Sequence, residues 1–116
     1  MRQISFALTT AQVRDRSKTV TRRIGWASLQ PDTLLQPVVQ GQGLKKGAHV
    51  ETIGGPIRVV SVRRELLGAM PADDCAREGF PELTREEFIA LFARTHRCTG
   101  DDVVTRIEFA YLEEPT

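Results

Sequence analysis

Six consecutive residues constrain this chain more than any others: Lys18-Thr19-Val20-Thr21-Arg22-Arg23. Thr19, Val20 and Thr21 are β-branched, and their stiff χ1 torsions suit a pleated surface better than a helix. The stretch is therefore predicted to be a strand. It has only Val20 to bury, beside an amine, two hydroxyls and two guanidinium groups, so it must face something other than an apolar core. Two readings follow from the residues. One is a pocket wall that grips an anion or carries out acyl chemistry; the other is a solvated edge strand whose charges keep it from pairing with another chain. The spacing adds a geometrical condition. Residues i and i+3 of a regular strand point to opposite faces, so Lys18 can join Thr21 only from a junction before the strand or across a bulge.

Around this stretch the pattern predicts alternating strands and short helices. Ile4, Phe6 and Leu8 alternate with Ser5 and Ala7, a half-buried first strand. Thr9 or Thr10 is then expected to cap a short helix through Arg16. Residues 25–48 carry Gly25, Pro31, Pro37, Gly41, Gly43 and Gly47 and read as loop-rich. Within them Leu34 to Val39 can be a strand only at an edge or bulge, because Pro37 has no N–H to donate. Gly41-Gln42-Gly43-Leu44-Lys45-Lys46-Gly47 lacks the order of a phosphate-binding loop and reads as a flexible basic loop. Val50 to Ile53, Gly54-Gly55-Pro56 and Ile57 to Val62 read as a hairpin whose second strand is central. Pro71 suits the first turn of a helix running through Glu78 and stopped by Gly79. A further helix starts at the capping box of Thr84 and Glu87, with Leu83 stapled to Phe88. Its buried stripe is Phe88, Leu91 and Phe92, with Ile89 at the margin. The closing strand places Val103, Thr105, Ile107, Phe109 and Tyr111 on one face, and Glu113 to Thr116 form a solvated tail.

The 116 residues, 41% hydrophobic and 27% charged, fit one soluble domain spanning 1–116. The N-terminus does not resemble a signal sequence, and no stretch approaches the ~18 apolar residues of a membrane span, so the expected location is the cytoplasm. Cys75 and Cys98 lack CxxC spacing, and His49 and His96 are isolated, so neither a metal nor another cofactor is expected. The net charge of +1 hides a division: residues 1–64 hold 11 Lys/Arg against 3 Asp/Glu, and residues 65–116 hold 5 against 12. Either the basic half forms a face for phosphate, or the two halves neutralise each other within the fold.

K-T-V-T-R-R, preceded by a short helical stretch and followed by Gly47, the Glu78-Gly79-Phe80 turn and the closing Arg106-Ile107-Glu108-Phe109, resembles the ASCH domain family. The resemblance implies an α+β fold, a small PUA-like mixed β-barrel with flanking short helices, linked to RNA and modified nucleosides. Some bacterial members are amidohydrolases that remove the acetyl group from N(4)-acetylcytidine with a Lys, a Thr three residues later and a distant Glu. Those positions match Lys18, Thr21 and Glu78. Arg22, Arg23, Thr19, Lys45 and Lys46 are the expected contacts for RNA or a cytidine derivative. Trp26 is either a further contact, stacked on a base, or a lid on the core. One position departs from the family, which carries Gly two residues before the Lys, where this chain has Arg16. If that position is a left-handed helix cap, a non-Gly residue costs about 1 kcal/mol there.

Amide hydrolysis needs a nucleophile, a group to take its proton and a donor for the leaving amine. Thr21 is a weak nucleophile, so Lys18 must be neutral to activate it, and a free lysine, with a pKa of roughly 10.4, is not. Burial and the positive field of Arg22 and Arg23 act to lower that pKa. Glu78, in the last turn of a helix, faces carbonyl ends at a cost of up to about 1 kcal/mol; either a tertiary partner such as Lys18 explains it, or it is one of the exposed glutamates common near helix ends. Three function classes follow: an amidohydrolase acting on acylated cytidine or a similar small amide, a non-catalytic RNA-binding module using the same pocket, and a nuclease. The last ranks lowest, because the sequence has no histidine pair or metal-binding carboxylate cluster.

Overall fold

The Val- and Ile-rich run Ile57–Leu66 (β4) pairs antiparallel with the closing run Val103–Tyr111 (β5). The computed structural model, which describes residues 1–40 and 49–112, builds a five-stranded sheet around this pair. The flanking strands are β1 (Arg2–Ser5), β2 (Val20–Arg23) and β3 (Leu34–Val38), in the order β1-β3-β4-β5-β2. β1 and β3 run parallel and the other pairs antiparallel, so the sheet is mixed and, with its short helices, the fold is α+β. The barrel expected from the sequence is an open sheet: among the described residues, β1 and β2 are its two edges. A side chain links these edges, with Arg23 Nη2 donating to the Ser5 carbonyl at 2.7 Å.

Two strand expectations change for identifiable reasons. β3 is an inner strand, not an edge. It pairs with β4 only at Leu34 and Leu35, so Pro37 lies past that ladder and joins the next segment through its carbonyl, which accepts from Ile53 N–H at 2.9 Å. The hairpin expected between 50–53 and 57–62 does not form. Residues around Thr52 bridge back to Val38 instead, and β4 takes β3 and β5 as neighbours. A bulge at Val60 shifts the β4–β5 register between Val59 and Ser61. Bulges exchange the faces that later side chains occupy, and this one places Ser61, Arg63 and Glu65 on the face of Glu108, Arg106 and Val104.

The core has two parts. Ile4, Phe6, Val13, Leu35, Ile57, Val59, Ile107 and Phe109 bury on one side of the sheet. Leu67, Met70, Cys75, Phe88, Phe92 and Val104 form a second cluster on the other. β5 is thus buried on both faces, with Val104 and Arg106 inside as well as the expected Thr105, Ile107 and Phe109. Val103, expected on the buried face, is exposed.

The helices are short and each meets the site. A 3-10 turn at Ala7–Thr9 leads into α1 (Thr10–Arg14). The expected Thr cap is absent there, because the Thr10 hydroxyl donates back to the Phe6 carbonyl at 2.8 Å. Arg16 takes a left-handed φ of 66°, the cap conformation anticipated at that position. α2 is a single turn, Asp74–Arg77, ending at Glu78 and Gly79. α3 (Arg85–His96) starts at the Thr84–Glu87 capping box, with Glu87 N–H donating to Thr84 Oγ1 at 3.1 Å and Thr84 N–H to Glu87 Oε1 at 2.9 Å. Among the described residues no helix is long and apolar enough to cross a membrane. The basic loop with Lys45 and Lys46 and the solvated tail lie outside the described residues.

Candidate functional site

Lys18 lies before β2, at the junction that its spacing from Thr21 required. Its N–H donates to the Gln12 carbonyl at 3.1 Å and its carbonyl accepts from the Tyr111 hydroxyl at 2.6 Å, so the backbone is held from both sides. Glu78 arrives from the end of α2. There the Gly79 N–H donates to Ala76 and the Phe80 N–H to Cys75, the two bonds of a Schellman stop. Gly79 has φ 97°, and a Cβ on it would meet Gln12 Cγ at 2.9 Å. Glycine is thus required both for the turn and for the approach of α1.

Lys18 and Glu78 meet directly. Lys18 Nζ donates to Glu78 Oε1 at 2.9 Å and to the Glu78 carbonyl at 2.6 Å, and both residues are only 3% exposed. The ammonium therefore covers the carbonyl end of α2 as well as the carboxylate, which answers the unfavourable position of Glu78 on its helix. Burial lowers the Lys18 pKa from its ordinary 10.5 against the pull of Glu78, and the charges of Arg23 and Arg22 add to the lowering. Thr21 is buried in β2, its hydroxyl accepting from Arg23 Nε at 3.0 Å. Among the described residues no hydrogen bond joins Lys18 to Thr21; both line one cavity.

The two neighbouring arginines part company. Arg22 is enclosed by carboxylates at all three of its nitrogens: Nε to Glu65 at 2.8 Å, Nη1 to Glu78 at 3.0 Å and Nη2 to Asp74 at 2.5 Å. It therefore holds the site together, with at least one of its N–H donors on each nitrogen committed to a carboxylate. Asp74 also takes a fork from Arg106, at 2.8 and 3.2 Å. Desolvation pushes the Asp74 pKa up, but Arg106 and Arg22 outweigh it and hold the carboxyl at about 2. Arg23 has no carboxylate partner among the described residues. It bonds Thr21 and the Ser5 carbonyl and lies 5.0 Å from the Phe6 ring centre. Burial, partly offset by Glu78, pushes its pKa down to about 10, so it remains a cation near neutral pH.

The cavity, of about 200 Å³, opens between the edges of β1 and β2. Lys18, Thr21, Arg22, Arg23 and Glu78 form a polar end. Phe80, Phe88, Phe92 and His96 form a facing wall of successive rings, with centroids 5.9, 6.3 and 3.9 Å apart. Such a wall gives a planar ligand apolar contact, while the polar end meets its substituents. Thr19 and Trp26 do not line the cavity. Trp26 packs on the first core cluster, as a lid would, with the Arg2 guanidinium 3.7 Å from its ring centre. Lys45 and Lys46 lie outside the described residues. Sequence reasoning missed Glu65, Asp74, Arg106 and His96. Asp74 and Arg106 carry a weak signal in retrospect, as charged residues next to apolar positions, but only the fold pairs them.

No protein-family model and no curated protein sequence matches the chain. In structure it is similar to the crystal structure of an ASCH domain from Lactobacillus crispatus JV V101, with a TM-score of 0.59 and 13% identity, covering 93% of this chain and 78% of that one. It is also similar to protein EF3133 from Enterococcus faecalis V583, of family model DUF984, with a TM-score of 0.64 and 13% identity, covering 100% of this chain and 86% of that one. At such identity the likeness carries the architecture and leaves the chemistry to the residues. The chain has an ASCH-like fold.

Proposed function

We propose that the cavity hydrolyses a small amide on a planar base, with N(4)-acetylcytidine or a related acylated cytidine as the substrate class. The observation that carries this reading is a buried lysine, depressed in pKa and bonded at 2.9 Å to a buried glutamate, in one cavity with a buried threonine. Neutral Lys18 takes the proton of the Thr21 hydroxyl as its oxygen attacks the acyl carbon. The resulting oxyanion lies near Arg23, whose Nε already touches the Thr21 oxygen and can stabilise the developing charge. Collapse breaks the C–N bond, and Lys18 returns the proton to the leaving amine. Water then releases the acyl group from Thr21 with Lys18 as base again. Glu78 holds Lys18 in place throughout. The test is to incubate the chain with N(4)-acetylcytidine and follow cytidine formation. Turnover is expected, and its absence with this and related acyl-cytidines would remove the catalytic reading.

A second reading, an RNA-binding module using the same cavity, is favoured by Arg23, a cation there with no carboxylate partner among the described residues. Single-stranded RNA binding should weaken steeply with salt, and Arg23→Ala should lower the slope of log K against log salt by roughly one. Arg22→Ala should leave the slope unchanged, since Arg22 faces carboxylates rather than solvent. Equal effects of the two substitutions on the slope would contradict this.

A further inference from the structure

Arg22 and Arg106 stand directly opposite each other on β2 and β5, and like charges in that relation repel. Both are buried, where water screens the repulsion least. Asp74 lies between them: its Oδ2 accepts from Arg22 Nη2 at 2.5 Å and from Arg106 Nε at 2.8 Å. Arg22 goes on to Glu78 at 3.0 Å, and Glu78 to Lys18 at 2.9 Å. Charges of alternating sign thus run from Arg106 through Asp74, Arg22 and Glu78 to Lys18. Neither Asp74 nor Arg106 lines the cavity.

We propose that Asp74 and Arg106 are positioning residues that govern when Lys18 holds its proton, acting through Arg22 and Glu78. The catalytic meaning of this control rests on Lys18 being the base described above; the control itself does not. Each link competes for its neighbour. Without the Asp74 charge, Arg22 turns more of its field on Glu78, which then holds the Lys18 ammonium less well, and Lys18 releases its proton at lower pH. Without the Arg106 charge, Asp74 draws Arg22 away from Glu78, and Lys18 keeps its proton to higher pH. The other groups facing Lys18 are Arg23 from β2 and the Tyr111 phenol, bonded to its carbonyl, and both stay unchanged in the variants below.

The sequence has three lysines, Lys18, Lys45 and Lys46, so the ε-carbon resonance of Lys18 can be assigned in protein labelled with ¹³C-lysine. Its titration is followed in the wild type, Asp74→Asn, Arg106→Gln and the double variant. The midpoint should fall in Asp74→Asn and rise in Arg106→Gln, each by on the order of one pH unit, and return near the wild type in the double variant. A purely structural role would lower the melting temperature of the single variants without moving the midpoint in opposite directions. Should Asp74→Asn not fold, Arg106→Gln decides alone: an unchanged or lowered midpoint overturns the proposal. Where the wild type turns over an acyl-cytidine, the rising limb of kcat against pH should move with the same signs. A wild type without turnover whose Lys18 still titrates in this pattern removes the catalytic reading and leaves the proton control standing.

Discussion

Lys18 gives two of its three hydrogens to a single residue, Glu78, one to the carboxylate and one to the carbonyl. That pairing was legible in the sequence only as one of two readings, since a glutamate at the wrong end of its helix is either answered by a cation or left exposed to water. The depth of its burial was not. From sequence alone, Glu78→Gln is expected to leave stability unchanged or slightly raised. With Glu78 3% exposed and bonded to both Lys18 and Arg22, the substitution instead takes the carboxylate from Lys18 and one of three from Arg22, a loss of about 3–5 kcal/mol while Lys18 is protonated. Urea unfolding should read this as a large fall in midpoint, and an unchanged midpoint would mean that the carboxylate is not engaged as described. The division of labour between Arg22 and Arg23 was equally hidden. Adjacent strand residues face opposite ways, and which of the two meets carboxylates depends on where Asp74 and Glu65 fall, a matter of α2 placement and of the bulge in β4.

At the scale of elements, signals carried by a few neighbouring residues were legible and those carried by distant pairing were not. The capping box of α3 and the stop at Gly79 depend on residues within a turn, and both occur as read. β3 and the segment around Thr52 depend on which strand lies beside them, and a proline or a Gly-Gly-Pro turn does not determine that. The stop at Gly79 matters most for the site, because it delivers Glu78. Gly79→Ala puts an L side chain at φ 97° and a Cβ 2.9 Å from Gln12 Cγ, an expected cost of about 1–3 kcal/mol. Since α2 or α1 must shift to relieve the contact, the variant should also lose most activity on an acyl-cytidine even at temperatures where it remains folded. Full activity in the folded variant would mean that the cap does not set the position of Glu78.

Over the whole molecule, the charge division seen in the sequence is partly neutralised internally. Lys18 and Arg22 from the first half meet Glu65, Asp74 and Glu78 from the second, and this ties stability to pH in two ways. Asp74, held at about 2 against an ordinary 3.8, contributes stability of on the order of 2 kcal/mol above about pH 4 that is lost as pH falls through about 2. Lys18 acts in the other sense. Its folded pKa lies below 10.5, so in that interval the unfolded chain binds more protons and the Lys18 contribution grows as pH rises. Urea midpoints measured across pH should therefore fall steeply at the acid end, and Lys18→Met should remove a rising contribution on the alkaline side. A Lys18→Met curve parallel to the wild type there would contradict the lowered Lys18 pKa. The open edge between β1 and β2 is where the cavity forms, so the departure from a closed barrel and the location of the site are one feature of the fold. In the proposed function Thr21, activated by Lys18, is the nucleophile in that cavity. This role is tested most directly by comparing the wild type with Thr21→Ala on N(4)-acetylcytidine, with melting temperatures measured alongside. Cytidine formation is expected from the wild type and none above background from Thr21→Ala at a temperature where the melting curves show both folded; equal turnover by the two folded proteins would contradict the role of Thr21.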